Sequence, residues 1–269
     1  MTYCVAMLLD AGLVFLSDSR TNAGVDHIGT FRKMTVFEVP GERVLTLMTS
    51  GNLSISQSVL QIVSDHATAD GRTIWKARNM FEAAEVISEA IRKVYAQDAT
   101  SLSTFGINFD IGIIFGGQIL GEKCRLFQFY SPGNFIESHG ENPYFQIGEA
   151  KYGKPIIDRV VNTSTSLDEA AKCALISMDS TLRSNISVGL PLDLMLYNTD
   201  SLEASRMVNI DENNAYFNEI RNIWGSKLKQ VFEGLNNPLW DAEPNTLGAI
   251  ATRDMQNTIK PIKRSAEPI

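Results

Sequence analysis

The sequence predicts an α+β fold, a four-layer αββα sandwich in one domain, and three observations carry that expectation. The chain opens with apolar runs arranged as two consecutive hairpins, so its sheet begins antiparallel. The hydrophobic period then changes from that of strands to that of helices, and it does so twice, each time for a pair of helices. Strands return after each pair. Such a chain buries both kinds of apolar face when two sheets pack on each other and each helix pair covers an outer sheet face. With 44% apolar and 20% charged residues in 269, there is enough apolar surface for a sizeable core.

Residues 3–9 form the first apolar run, and Asp10-Ala11-Gly12 is a tight-turn signal. Residues 13–18 form the second run, which ends in Ser17-Asp18-Ser19-Arg20. Residues 21–29 read as a polar loop. Residues 33–39 and 44–49 are two further strands around the Pro40-Gly41 turn. Helices are expected over 53–67 and 80–96. In the second, Met80, Ala83, Ile87, Ile91 and Val94 share one face, with Glu82, Glu85, Glu89, Arg92 and Lys93 largely opposite. Strands follow over 109–115, 118–120, 125–130 and 135–138, separated by Gly116-Gly117 and Ser131-Pro132-Gly133. A short helix is expected over 154–161. The next, over 166–182, opens with a capping box in which Ser166 and Glu169 satisfy orphan N–H groups. Residues 192–197 and 207–210 are strands, and 216–235 a final amphipathic helix. From Asn236 the prolines at 238, 244, 261 and 268 break the pattern, so the expected division is a domain over 1–235 and an extended tail over 236–269.

Charge and composition remove several function classes. Lys plus Arg is 24 and Asp plus Glu 31, a formal net charge of −7. An acidic chain lacks the cations that sequence-independent nucleic-acid binding requires, so no nucleic-acid partner is expected. Cys4, Cys124 and Cys173 form no CxxC pair, and His27, His66 and His139 supply no HExxH spacing, so neither a structural zinc site nor another cofactor is expected. The odd thiol count and the lack of a recognisable secretory leader point to a reducing cytoplasm. No apolar run approaches the roughly 20 residues that span a bilayer.

No GxSxG, P-loop or kinase motif is present. Thr2 stands out instead. Methionine aminopeptidase tolerates a small residue in that position, and loss of Met1 would leave Thr2 with a free α-amine beside its own hydroxyl. Such an amine has an ordinary pKa of about 7.7–8.0, so near neutral pH it is available as a base, and a hydroxyl with a base in the same residue is an activated nucleophile. Asp18 sits at the end of the second strand, where a hairpin partner of the first strand brings it toward Thr2. Lys33 enters the third strand. Thr49-Ser50-Gly51-Asn52 joins a strand to a helix, where Ser50 or Asn52 caps and an N–H beside Gly51 can face a developing oxyanion.

These four elements in this order resemble the β-subunits of proteasomes, within the N-terminal-nucleophile hydrolases. The opening MTYCVAMLLDAGLVFLSDSRTNAGVD, the TFRKM that follows and the segment MDSTLRSNISVGLPLDL look closest to the bacterial proteasome relatives of the ancestral β-subunit group. The resemblance covers most of the chain up to about Leu235. It implies that Thr2 is the nucleophile, that Lys33 and Asp18 are the lysine and its carboxylate partner, and that the Gly51 N–H forms the oxyanion hole. It implies the αββα fold of that family, hydrolysis of peptide or other amide bonds, and a homo-oligomeric ring, open ring or helical assembly. Where proteasome subunits carry Gly-Ser-Gly, this chain has Ile147-Gly148-Glu149-Ala150. Where they carry Asp-x-x-Ser-Gly, Asp179 matches the Asp, and Ser180, Ser184 and Ser187 compete for the Ser. Glu149, Asp179 and Ser187 are therefore supporting candidates, and Thr21 and Ala23 join Gly51 as pocket candidates. Two other readings stand beside this one: a self-assembling scaffold of the same fold with little or no activity, and Cys4 as a thiol nucleophile on the same strand face as Thr2.

Overall fold

The structure, a computed structural model, describes residues 2–22, 28–240, 246–247 and 249–250. The opening hairpin is β1 (Tyr3–Leu9) and β2 (Gly12–Asp18), followed by a small ribbon of β3 (Arg20–Asn22) and β4 (Ile28–Thr30). Next come β5 (Met34–Val39), β6 (Arg43–Gly51), α1 (Leu53–Asp65) and α2 (Met80–Thr104). The middle of the chain holds β7 (Ile111–Ile119), β8 (Arg125–Phe129), β9 (Phe135–Glu137), β10 (Tyr144–Gly148), α3 (Ala150–Val160) and α4 (Leu167–Ser184). The last elements are β11 (Leu192–Asn198), β12 (Arg206–Ile210) and α5 (Ala215–Gly234). Two five-stranded sheets result, in the orders β10-β1-β2-β11-β12 and β5-β6-β7-β8-β9, and every pairing within them is antiparallel.

Strand alternation sorts the core. Tyr3, Val5, Met7 and Leu9 of β1 pack with Ala170, Ala174 and Met178 of α4 and with Ile157 of α3. Cys4 and Ala6, on the other face, join Val44 and Met48 of the second sheet, with Phe15, Ile114 and Met195, in a core between the sheets. On the far face of the second sheet, Leu45, Leu47, Ile113 and Phe127 meet Val59 of α1 and Met80, Ala84 and Ile91 of α2. The capping box expected at Ser166 is present: its side chain accepts the Glu169 N–H, and Glu169 reaches back to Ser166.

Several expectations need correction. The polar stretch 21–29 contains the β3–β4 ribbon rather than only a loop. Gly116-Gly117 does not separate two strands; β7 runs through it. A Cβ at Gly116 would crowd Phe15 and Leu126, and one at Gly117 would strike the Val44 carbonyl, so these glycines admit a close neighbour instead of a turn. Helix α2 continues to Thr104 rather than ending at 96; its last two turns are largely exposed and carry no apolar period, so the sequence holds no amphipathic signal for them. Strand β10, only five residues before a helix, was not anticipated.

Contacts divide the chain after Asn222, within α5. In the first unit, Phe217 and Ile220 belong to the core shared by β1 and α4. In the second, the rest of α5 is followed by a bridge between Leu239 and Ala249. The expected tail beyond residue 250 lies outside the described residues. No described helix is long and apolar enough to cross a membrane.

Candidate active site

Asp18 ends β2 in the first sheet, and Lys33 enters β5 in the second, its carbonyl held by the Thr49 N–H of β6. The Lys33 Nζ donates to Asp18 Oδ1 at 2.6 Å, so an ion pair links the two sheets. The side chains are 5% and 0% exposed. Both partners make further hydrogen bonds. Lys33 also donates to the Arg20 carbonyl at 2.7 Å. Asp18 Oδ1 accepts the Tyr3 N–H at 3.0 Å, and Oδ2 accepts the Gly189 N–H at 3.4 Å. Burial pushes the Asp18 carboxyl above its ordinary range, against the pull of the Lys33 charge and these N–H donors. One carboxylate oxygen thus joins the lysine to the peptide that follows Thr2.

Thr2 is 8% exposed. Its carbonyl accepts the Glu149 N–H at 2.7 Å. Gly148 has φ +78°, and a Cβ there would run into that same carbonyl. The turn from β10 into α3 is therefore shaped around Thr2, and only glycine fits both its conformation and its space. Gly51, at the end of β6, has φ +99° and faces Ile111. Because the next N–H, of Asn52, donates to the Asp110 carbonyl, the Gly51–Ile111 pair is the non-hydrogen-bonded kind, and the Gly51 N–H turns away from β7.

Thr2, Gly51 and Glu149 all line one cavity of about 640 Å³, completed by residues of β7, β8 and β10. A larger cavity, about 720 Å³, lies at the opposite end of β1 around Asp10 and His139, and none of the sequence-derived site residues lines it.

The other candidates separate. Cys4 is fully buried, its thiol donates to the Thr49 carbonyl at 3.8 Å, and burial, with the nearby Asp18 charge, pushes its pKa far up. A buried, protonated thiol is a poor nucleophile. Asp179 on α4 is buried, with Oδ2 accepting from Arg183 and Oδ1 from Arg221, both at 3.0 Å. Ser180 donates back to the Ile176 carbonyl within α4, and Ser184 is the last residue of that helix. Ser187 lies in the following loop, its N–H on Asn185 Oδ1 at 2.9 Å. That loop is fastened to the ion pair by Gly189 and by Arg20, whose Nη1 donates to the Ile186 carbonyl at 2.9 Å. Glu149 stands at the start of α3, with Lys151 3.5 Å from its carboxylate. Thr21 lies on the β3–β4 ribbon and is not part of the Thr2 cavity lining, and Ala23 falls outside the described residues.

Sequence reasoning missed the far wall: Asp110, Ser131 and Gln146. It also missed Gly148 and Gly189 as the backbone positions that shape the site. Gly148 was readable only as part of the turn set against Gly-Ser-Gly, and Gly189 only as a member of the MDSTLRSNISVGLPLDL segment, and nothing local marks a close approach at either.

Two antiparallel sheets joined at one end by a buried Lys–Asp pair, beside a threonine that immediately precedes the first strand, define an α+β protein with its candidate site where the two sheets meet. The chain belongs to the Anbu (ancestral β-subunit) family. It is 49% identical to Anbu from Yersinia bercovieri over 89% of this chain and 100% of that one, with a TM-score of 0.82. Anbu from Hyphomicrobium sp. strain MC1 is 44% identical over 90% of this chain and 100% of that one, with a TM-score of 0.82. An Anbu complex from Pseudomonas aeruginosa, described as a helical assembly, is 45% identical over 88% of this chain and 98% of that one, with a TM-score of 0.84. No family model and no curated protein matches the chain.

Proposed function

We propose that the chain is a threonine hydrolase of peptide or other amide bonds, working in the cytoplasm within a self-assembled ring-like or helical homo-oligomer. The single observation that carries this is the buried Lys33–Asp18 pair, whose shared oxygen also holds the Tyr3 N–H next to Thr2. In this reading the cores between and outside the sheets make the four-layer αββα sandwich of N-terminal-nucleophile hydrolases, the hydrolase domain covers residues 1–235, and 236–269 is a tail.

The mechanism begins with removal of Met1. The Thr2 α-amine, directly or through a water, takes the proton of the Thr2 hydroxyl as its oxygen attacks the substrate carbonyl. The Lys33 ammonium, held charged and oriented by Asp18, favours negative charge on the attacking oxygen. The outward-turned Gly51 N–H stabilises the oxyanion that forms. As the intermediate collapses, the Thr2 α-ammonium returns its proton to the leaving nitrogen, the amine product departs and an ester remains on Thr2, which water hydrolyses to the free acid and the restored hydroxyl. Glu149 and Ser187 stand on the turn and the loop beside this group, and Asp179 braces α4. Intact mass spectrometry tests the reading: the purified protein lacks Met1, and a threonine-directed electrophile adds once, at Thr2. A mass that retains Met1 and gains no adduct sinks it.

A second reading, a scaffold with little activity, is favoured by the two arginines on Asp179, which leave that carboxylate committed to helix packing instead of to the amine. If Thr2→Ala preserves every cellular and biochemical phenotype, the scaffold reading replaces the first.

A further inference from the structure

The cavity beside Thr2 and Gly51 is lined on its remaining sides by neutral hydroxyl and amide groups, several of them held by neighbouring acceptors. Ser131 Oγ donates to the Ile111 carbonyl at 3.1 Å, and Ser50 Oγ to the Gly112 carbonyl at 3.4 Å. The Gln146 amide nitrogen donates to the Tyr3 hydroxyl at 2.5 Å. With the Ser177 hydroxyl donating to the Ala174 carbonyl at 2.7 Å, the Tyr3 hydroxyl is free to donate to Ser177 at 3.0 Å while it accepts from Gln146. Tyr3 is fully buried, and a Cβ at Gly153 would sit 2.5 Å from its hydroxyl oxygen, so the phenol has no alternative place. The Gln146 carbonyl oxygen and its second amide N–H are left for a ligand.

Two carboxylates, Asp110 and Glu149, add charge to the same lining, and no Lys, Arg or His is among its described residues. Asp110 makes no side-chain hydrogen bond or ion pair among the described residues. The Glu149 partner, Lys151, is 70% exposed at 3.5 Å, a loose surface pair that an incoming cation can replace. Gln128 and Tyr130 contribute only neutral groups.

We infer that this cavity is a subsite for a cationic, donor-rich group of the substrate, a Lys or Arg side chain or a free α-ammonium of a peptide. The inference rests on the hydrolase reading for its connection to chemistry, but binding tests it separately. About 640 Å³ accommodates such a side chain with its water. A charge-assisted bond to one carboxylate amounts to about tenfold in affinity, and it weakens with salt.

The test uses the full-length Thr2→Ala protein and labelled hexapeptides in which one Lys is moved through the sequence, with norleucine and Glu versions of each, read by fluorescence anisotropy. At one register the Lys peptide binds about tenfold more tightly than norleucine, and Glu more weakly still. D110N and E149Q together remove the Lys preference while the sedimentation of the protein is unchanged. Equal binding of the three peptides, no binding of any, or a Lys preference that survives both substitutions overturns the subsite. A wild-type protein that binds Lys peptides in this way yet keeps Met1 and takes no electrophile overturns the hydrolase reading and leaves the subsite standing.

Discussion

Replacing Lys33 with Met removes the cation and keeps the apolar stem, leaving Asp18 charged at 0% exposure. Breaking a buried pair from one side costs about 3–5 kcal/mol, because the orphaned charge has lost its partner without regaining water. Here the lower end applies, since the Tyr3 and Gly189 N–H groups still donate to the carboxylate. For a unit of about 220 residues, at an unfolding entropy of about 2.1 cal/mol/K per residue, about 3 kcal/mol lowers Tm by roughly 6 °C. The pH dependence has a definite sign. Burial raises the folded pKa of Asp18 above its unfolded value of about 3.9 against the lowering pull of Lys33, and removing Lys33 raises it further, so the orphaned carboxyl takes a proton more readily than the paired one. The stability that protonation contributes is complete below the unfolded pKa and is lost as pH rises through the folded one. The Lys33→Met deficit therefore shrinks on acidification. Adding Asp18→Asn recovers stability at neutral pH by removing the orphan charge. The assay is thermal or denaturant unfolding at fixed protein concentration, which holds the contribution of assembly constant. A Lys33→Met loss below about 1 kcal/mol, or one that grows as pH falls, refutes the reasoning.

Gly148→Ala forces a left-handed residue against the Thr2 carbonyl; it costs about 2–3 kcal/mol and abolishes electrophile addition at Thr2, and a variant that labels normally contradicts the shape assigned to that turn. The three thiols are buried, with pKa values raised by burial, Cys173 to about 11, so a disulfide reagent at pH 8 reacts with the native protein far more slowly than with the denatured one; rapid native labelling of Cys4 reopens it as a nucleophile. Tyr3→Phe strands the Gln146 amide and costs about 1–2 kcal/mol in denaturant unfolding, and an unchanged midpoint removes the relay through Ser177. Ser166→Ala loses the capping box and about 1 kcal/mol by the same measurement, and no loss means α4 does not depend on that cap.

Most elements were legible because period and punctuation agree in them: an uninterrupted apolar run closed by a turn in β1, a helical stripe in α2, Ser166 and Glu169 at the start of α4. The exceptions share a physical cause. Gly116-Gly117 has the composition of a turn, and only the Phe15 ring and the Val44 carbonyl packed against it explain why a strand needs glycine there. Strand β10 is five residues long and half its meaning lies in pairing with β1. The site divides in the same way. Thr2, Asp18, Lys33 and Gly51 stood out by residue type and place, and the family resemblance gave them their expected roles. The cavity wall could not, because Asp110, Ser131 and Gln146 come from three segments that meet only once the sheets have closed. Asp179 illustrates the converse: its motif position was readable, but its arginine partners, one of them on α5, were not.

The placement of β1 also sets a timetable. It lies between β2 and β10 in its sheet, so the first strand synthesised acquires its second neighbour only after about 148 residues have been made. The Thr2 carbonyl finds its partner at Glu149, and Asp18 finds its last donor at Gly189. At an elongation rate of about 5–20 residues per second, the N-terminal segment waits on the order of ten seconds or more, emerged but unassembled. A chain released before residue 189 carries the residues that the sequence singles out near its start, yet lacks the backbone that holds them, so the candidate site is completed only once Gly189 has been added.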